Sequence, residues 1–335
     1  MLFDKFQTMA DFQAELAERD VVPFGAVTEE ILSATEGVVE GKKVILAGTN
    51  NYMGLSFDSR CIAAAQAAVA KWGTGTTGSR LANGSFAEHQ ALEEEIARFY
   101  GVGNAIVFST GYAATMGMCA TLAGPGDVIL LDADSHASIY SGVKLSDADI
   151  IRYKHNDPDD LAKRMRRLGD RAGQTLIIAE GIYSMLGDVA PLREIAEVKR
   201  EYGGYLLVDE AHSMGVLGDS GRGAAQAAGV EDDVDFTVGT FSKSLGSIGG
   251  FCVSRHSELE AIRFCIKAYI FTASSSPSVI ASTREALRII SQEPERRQRV
   301  WDNANRLYDG LNALELPVGP SASPVVAVEM LDRSR

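Results

Sequence analysis

Positive charge is in short supply in this chain: 32 lysines and arginines face 45 aspartates and glutamates, a net charge of −13. A surplus of anions repels phosphate backbones, which excludes nucleic acid as a partner. Cysteine and histidine are scarce too. Cys61, Cys119, Cys252 and Cys265 form no CxxC pair, and with only five histidines no metal-ligating set can be read. The thiols are therefore expected to be reduced and mostly buried. The sequence has no run of about eighteen apolar residues. Its opening, MLFDKFQTMADFQAELAERD, is acidic and amphipathic without an apolar signal region, so the expectation is a soluble cytoplasmic protein. A GxxxxGK[ST] loop is also missing, which makes the Asp209-Glu210-Ala211-His212 string an accidental match to a helicase motif.

What is present suits a large α/β fold. The chain has 335 residues, 46% of them hydrophobic, enough for one large domain and a smaller one. Phe3, Phe6, Met9, Phe12 and Leu16 recur at helical spacing, so residues 1–45 read as an N-terminal arm with a short strand over 43–46. Ser59 can cap a helix that ends near Gly73, and a second helix runs from about His89 to Tyr100. Seven apolar bursts then alternate with helical segments: 105–109, 127–132, 149–153, 174–180, 205–209, 235–239 and 249–254. They predict one mostly parallel seven-stranded sheet with helices on both faces, in a cofactor domain spanning 46–290. From 291 a helix to about Leu314 and a strand over 324–330 predict the start of a C-terminal small domain. That domain is read as cut short at Arg335, which leaves Val325–Val328 as an unpaired apolar edge.

The glycine-rich string 73–78 spells GxGxxG, but a helix precedes it and a loop follows, the reverse of what a dinucleotide site requires. Asn83-Gly84-Ser85 is likewise idle as a glycosylation sequon without a secretory signal.

In a parallel sheet, ligands gather at the carboxyl ends of the strands. There the chain supplies Gly111-Tyr112 opening a helix, His136, Ser184, Asp209, His212 and the loop Thr240-Phe241-Ser242-Lys243. Pyridoxal phosphate needs such a set. Its aldehyde takes a lysine amine, its ring nitrogen a carboxylate, its phosphate hydroxyls and a helix N-terminus, and its ring face an aromatic or imidazole cover.

With those residues in view, GTFSKS at 239–244 resembles the lysine motif of class II pyridoxal-phosphate transferases, and DEAHSMGVLGDSGRG at 209–223 resembles the matching segment of the α-oxoamine synthases. The similarity runs from about residue 25 to 280. DADSHASIY and YIFTAS tilt it toward the branch that condenses L-serine with a long-chain acyl thioester, on CoA or an acyl carrier protein, to give 3-ketosphinganine. The sister activities that share the scaffold are 2-amino-3-ketobutyrate CoA ligase, 8-amino-7-oxononanoate synthase and 5-aminolevulinate synthase. An aminotransferase on the same fold, or a non-catalytic partner subunit or inactive fragment, are the readings from other classes. Retention of Lys243 disfavours a non-catalytic partner subunit.

The resemblance implies a fold-type I pyridoxal-phosphate transferase and assigns roles position by position. Lys243 binds the cofactor and later takes the substrate Cα proton. Asp209 pairs with the ring nitrogen, His136 covers the ring, and His212 meets the ring oxygen. Gly111, Tyr112, Thr240 and Ser242 hold the phosphate, while Ser184 lies beside the cofactor. Thr272 reaches the partner subunit's phosphate, which implies a homodimer with shared active sites, and Asn51 meets the amino-acid carboxylate. The lipid product favours peripheral contact with a membrane surface. The carboxylate-binding arginine of the family has no counterpart here.

Overall fold

A computed structural model describes residues 1–19 and 27–329. Residues 50–328 form one compact unit and residues 1–49 belong to another. In the N-terminal unit, helix α1 (Gln7–Glu18) carries Met9 and Phe12 of the anticipated apolar stripe while Phe3 and Phe6 precede it, and all four are exposed. A three-stranded antiparallel sheet follows, built from β1 (Thr28–Ile31), β2 (Glu36–Val39) and β3 (Lys42–Ile45). The sequence suggested only the last of these clearly, because strands of four residues give too few alternations to count.

In the larger unit, α2 (Ser59–Trp72) and α3 (Ala87–Tyr100) precede the main sheet. The cap of α2 is Asp58, whose carboxylate accepts from the Arg60 N–H, rather than Ser59. The seven strands are β4 (Asn104–Phe108), β5 (Val128–Asp132), β6 (Asp149–Tyr153), β7 (Thr175–Glu180), β8 (Tyr205–Asp209), β9 (Phe236–Thr240) and β10 (Gly250–Ser254). They lie in the order β4-β10-β9-β8-β7-β5-β6, with β10 antiparallel to both neighbours and the pairs from β9 to β6 parallel.

Burial explains the continuous apolar runs. Leu130, Ile177, Leu206 and Val208 point to one core, while Ile129, Leu131, Ile178 and Leu207 point to the other, as a two-residue period demands when both faces are covered. Each such side chain stabilises the fold by about 1.5–3 kcal/mol. The covering helices include α4 (Gly111–Thr121), α5 (Ala137–Val143), α6 (Pro158–Leu168) and α7 (Leu192–Tyr202). Asp157 and Pro158 open α6, with the Asp157 carboxylate accepting from the Asp160 N–H. Five further helices follow among the described residues: α8 (Ala224–Ala228), α9 (Leu259–Ile262), α10 (Lys267–Ile270), α11 (Pro277–Gln292) and α12 (Glu295–Ala313). Trp301 of α12 donates from its indole N–H to the Val216 carbonyl, tying that helix to the turn after β8.

The strand expected over 324–330 is not present among the described residues, and Met330 lies outside them. Only an isolated antiparallel bridge, Val318 to Val328, forms. Pro324 has no N–H to donate, and the Ser323 hydroxyl bonds locally to both the N–H and the carbonyl of Val325. Val325–Val328 are accordingly half-buried beside residues 318–319 instead of standing as a bare edge.

Candidate active site

The parallel strands end along one rim, and their last residues define the site. Asp132, Glu180, Asp209 and Thr240 close β5, β7, β8 and β9; Glu180 and Asp209 are direct register partners. At the same rim β10 begins, with Gly250 opposite Thr240 on one side and Phe108 on the other. A cavity of about 200 Å3 opens there, lined by Gly111, Tyr112, His136, Asp209, His212, Thr240, Ser242 and Lys243. Eight residues anticipated from separate strand ends thus converge on one space. Thr115, Ser138, Glu180, Ala211 and Gly239 complete its wall.

Asp209 is buried and held at both oxygens. Its Oδ2 accepts from the Thr115 hydroxyl at 2.9 Å and its Oδ1 from the Ala211 N–H at 2.9 Å. A carboxylate gripped in this way points in one direction and needs no reorganisation to meet a cation. Lys243 sits in the turn after β9. Burial lowers the pKa of its amine, opposed by the carboxylates of Asp209 and Glu180, so a larger share of neutral amine is available than on an exposed lysine.

His136 is the N-cap of α5, its Nδ1 accepting from the Ser138 N–H at 3.2 Å and lying 2.7 Å from the Ser138 hydroxyl. Its backbone N–H donates to Glu180 Oε1. The surrounding protein lowers the pKa of the ring, with Asp209 acting the other way. His212 is buried, and its pKa is pushed down to about 3 by burial, then by Lys243 and His136. It is therefore neutral at any ordinary pH. Its Nδ1 lies 2.7 Å from the Tyr52 hydroxyl, whose own pKa burial raises. The sign for stability follows: the unfolded chain protonates this histidine near its ordinary value, so the stability it permits is present above about pH 6.5 and falls as pH drops toward 3.

Opposite the carboxylates, the N-terminus of α4 is the anion pole. Thr110 caps the helix through the Ala113 N–H at 3.0 Å, and helical geometry leaves the N–H groups of Gly111 and Tyr112 without intrahelical acceptors. The Thr240 hydroxyl lies 2.8 Å from that of Ser242 and donates to the Gly249 carbonyl at 3.0 Å. A Cβ at Gly111 would stand 2.5 Å from Thr240 Cβ and 2.6 Å from its Oγ1, so only glycine lets the two donor groups approach. An anion cradle, an amine of lowered pKa, a fixed carboxylate and an imidazole at the mouth are the donor chemistry that pyridoxal phosphate requires, and the residues fit it.

Gly111→Ala supplies a test. The overpacking should cost about 1–3 kcal/mol and weaken uptake of pyridoxal phosphate by the unloaded protein at least about tenfold, measured by absorbance titration. Unchanged affinity would remove this turn from the cradle.

Three anticipated residues lie outside the cavity wall. Asn51 closes a local turn, its side-chain amide bonding to the Ser56 hydroxyl at 2.7 Å and accepting from the Ser56 N–H at 3.3 Å. Ser184 is half-buried in the turn after β7, and Thr272 is half-buried between α10 and α11. In the other direction, Glu180, Thr115 and Tyr52 belong to the site without having been assigned a role. Glu180 had a signal, its place at a strand end. Burial and the adjacent Asp209 raise its pKa well above the carboxylate range.

Comparison with known proteins agrees with this geometry. The family model described as aminotransferase class I and II matches residues 42–335. A serine palmitoyltransferase of Caulobacter vibrioides is 60% identical over 100% of this chain and 83% of its own length. A solved serine palmitoyltransferase from S. paucimobilis, described as holding a PLP–myriocin adduct, superposes with a TM-score of 0.96 at 46% identity, covering 99% of this chain and 87% of that one. An 8-amino-7-oxononanoate synthase of Lysinibacillus sphaericus is 41% identical over 88% of this chain and 75% of its own length.

Proposed function

We infer that this chain, which belongs to the α-oxoamine synthase family of pyridoxal-phosphate enzymes, condenses L-serine with a long-chain acyl thioester to give 3-ketosphinganine, CO2 and the free thiol. The observation that carries this reading is the 60% identity with a serine palmitoyltransferase across the whole chain, joined to a strand-end cavity holding Lys243 beside Asp209.

Bound pyridoxal phosphate supplies a protonated ring that takes up the electron pair left on the substrate Cα when its proton departs. The chain's own groups do the rest. Gly111 and Tyr112 offer backbone N–H groups and Ser242 its hydroxyl to the phosphate, and the Thr240 hydroxyl joins them by turning from the Gly249 carbonyl. Asp209 holds a proton on the ring nitrogen through a charge-assisted bond, its direction fixed by Thr115 and Ala211. Lys243 anchors the cofactor and afterwards accepts the Cα proton, a task suited to an amine of lowered pKa. His136 covers the ring and orients the thioester or the substrate carboxylate. His212, kept neutral, hydrogen-bonds the ring oxygen, its own orientation set by Tyr52.

We assign Ser184 to the cofactor's edge, Asn51 to the serine carboxylate and Thr272 to the phosphate of a partner subunit, which makes the assembly a homodimer with shared sites. The division into an arm over 1–45, a cofactor domain over 46–290 and a second domain opening at 291 belongs to the same reading. So do a cytoplasmic location, peripheral contact with a membrane surface that the lipid product favours, and an acyl donor carried on CoA or acyl carrier protein. No helix among the described residues is long and apolar enough to cross a membrane.

Amino-acid titration of the loaded protein tests the substrate. L-Serine should change the visible cofactor spectrum saturably, whereas glycine and alanine should do so at least about tenfold more weakly. Equal responses would move the chain to a sister activity.

A further inference from the structure

The wall of the cavity is set by loops, and one histidine outside the cavity joins two of them. His155 follows β6, and its ring is spanned by carboxylates: Nδ1 lies 2.8 Å from Asp132 Oδ1 and Nε2 lies 2.7 Å from Asp188 Oδ2. Asp132 is fully buried at the end of β5 and begins the 132–136 loop that ends on His136. The same carboxylate accepts from the Asp134 N–H at 2.9 Å through Oδ1 and from the Asn156 N–H at 2.9 Å through Oδ2.

Asp188 belongs to the hairpin after β7, closed by a bridge between Ile182 and Val189 and by the Tyr183 N–H donating to the Asp188 carbonyl. That hairpin carries Ser184. Its Tyr183 ring meets the His155 ring edge-on at 4.6 Å. Asp188 Oδ1 and Asn156 Oδ1 are buried without a partner, so Asp188 depends on its other oxygen, shared between His155 and the Asn156 amide at 2.6 Å. In the site itself the 132–136 loop also meets the end of β7, just before that hairpin, where the His136 N–H donates to Glu180.

We propose that His155 is a positioning residue for the reaction, clamping the 132–136 loop to the 182–189 hairpin so that His136 stands at a fixed place over the cavity. The proposal rests on the reading of His136 as the group that covers the cofactor ring. A histidine is suited to this span because only its doubly protonated ring donates in two opposite directions. The groups facing it are Asp132, Asp134 at 3.9 Å, Asp188 and Tyr183. Burial alone would lower its pKa, but the two bonded carboxylates win and raise it. The clamp is accordingly complete below the histidine's ordinary value of about 6.5. It loses one of its two N–H donors, with the stability they give, as pH rises through the raised value.

Three measurements on the cofactor-loaded protein test this. By NMR, His155 should titrate above 6.5; a value at or below 6.5 overturns the clamp. In hydrogen exchange, His155→Gln, which reaches only one carboxylate, should speed exchange in 133–140 and 182–189 at least about tenfold over the parent, with α11 unchanged. Equal exchange in both segments overturns the proposal. If His155→Gln does not fold, Asp188→Asn keeps the ring packed on Tyr183 and should bring the His155 titration down and speed the same segments.

The kinetic readout is a double-variant cycle. His155→Gln should lower kcat about tenfold with the serine KM within about threefold, and adding it to His136→Ala should cause no further loss. Additive losses would mean that His155 does not act through His136. A fully active His136→Ala would instead overturn the reading of His136 on which the clamp's role rests.

Discussion

Lys243→Ala should abolish the visible absorbance that a lysine-bound pyridoxal phosphate gives and lower kcat about 10^4-fold, the upper end of what loss of a positioned proton-transfer group costs. Two functions leave with one side chain, the covalent hold on the cofactor and the base at the substrate Cα, so the effect on the reaction should exceed that of any other single change in the cavity. The fold should not suffer in proportion. Burial lowers the pKa of this amine in spite of Asp209 and Glu180, which means that the charged form is on balance disfavoured in the folded protein. Removing it should leave the thermal stability of the unloaded protein within about 1 kcal/mol of the parent. A variant that keeps the parent absorbance in the absence of any amino acid would take Lys243 out of the role. One that loses absorbance and stability together would show a structural lysine instead.

That split between chemistry and fold reflects what could be read from the residues alone. The seven strands were legible because each is a short apolar run bounded by turn residues, and all seven form with ends within two residues of expectation. Since ligands collect where parallel strands end, the residues after each burst gave His136, Asp209, His212 and Lys243, and the structure brings these together in one cavity. What the sequence hid are contacts between distant segments. Thr115 is a mid-helix threonine with no motif, yet its hydroxyl holds Asp209, 94 positions away. Tyr52 lies 160 positions from His212 and meets its ring. The misread strand at 324–330 has the opposite cause. Its apolar pattern was genuine, but strand formation needs a neighbour, and here a proline and a serine turn give the backbone local partners instead.

Asp209 carries the second large effect, and its prediction separates function from stability most sharply. Asp209→Asn keeps size and shape, and an acceptor oxygen for the Thr115 hydroxyl or the Ala211 N–H, but deletes the negative charge. A hydrogen bond to a charged group is worth about 1.5–3 kcal/mol, so loss of the bond that keeps the ring nitrogen protonated should lower kcat about 10^2-fold, with serine still binding. The unloaded protein should respond in the reverse sense. Asp209 is one of the causes that raise the pKa of its register partner Glu180 and of the buried Glu210, which burial, opposed by the hydrogen bonds from Ala225, Ser213 and Ala224, pushes up to about 7. Two carboxylates side by side in a low-dielectric wall repel, and the asparagine relieves that repulsion. Above the ordinary carboxylate range, a group whose folded pKa is raised opposes folding once the unfolded chain has ionised. At neutral pH the variant should therefore melt higher than the parent when unloaded, with the gain shrinking as pH falls toward 4 and Glu180 and Glu210 protonate in the unfolded chain as well. A lower melting temperature at neutral pH would mean that the bonds from Thr115 and Ala211 to a charged Asp209 outweigh the repulsion, and the carboxylate would then be a structural group as much as a cofactor ligand.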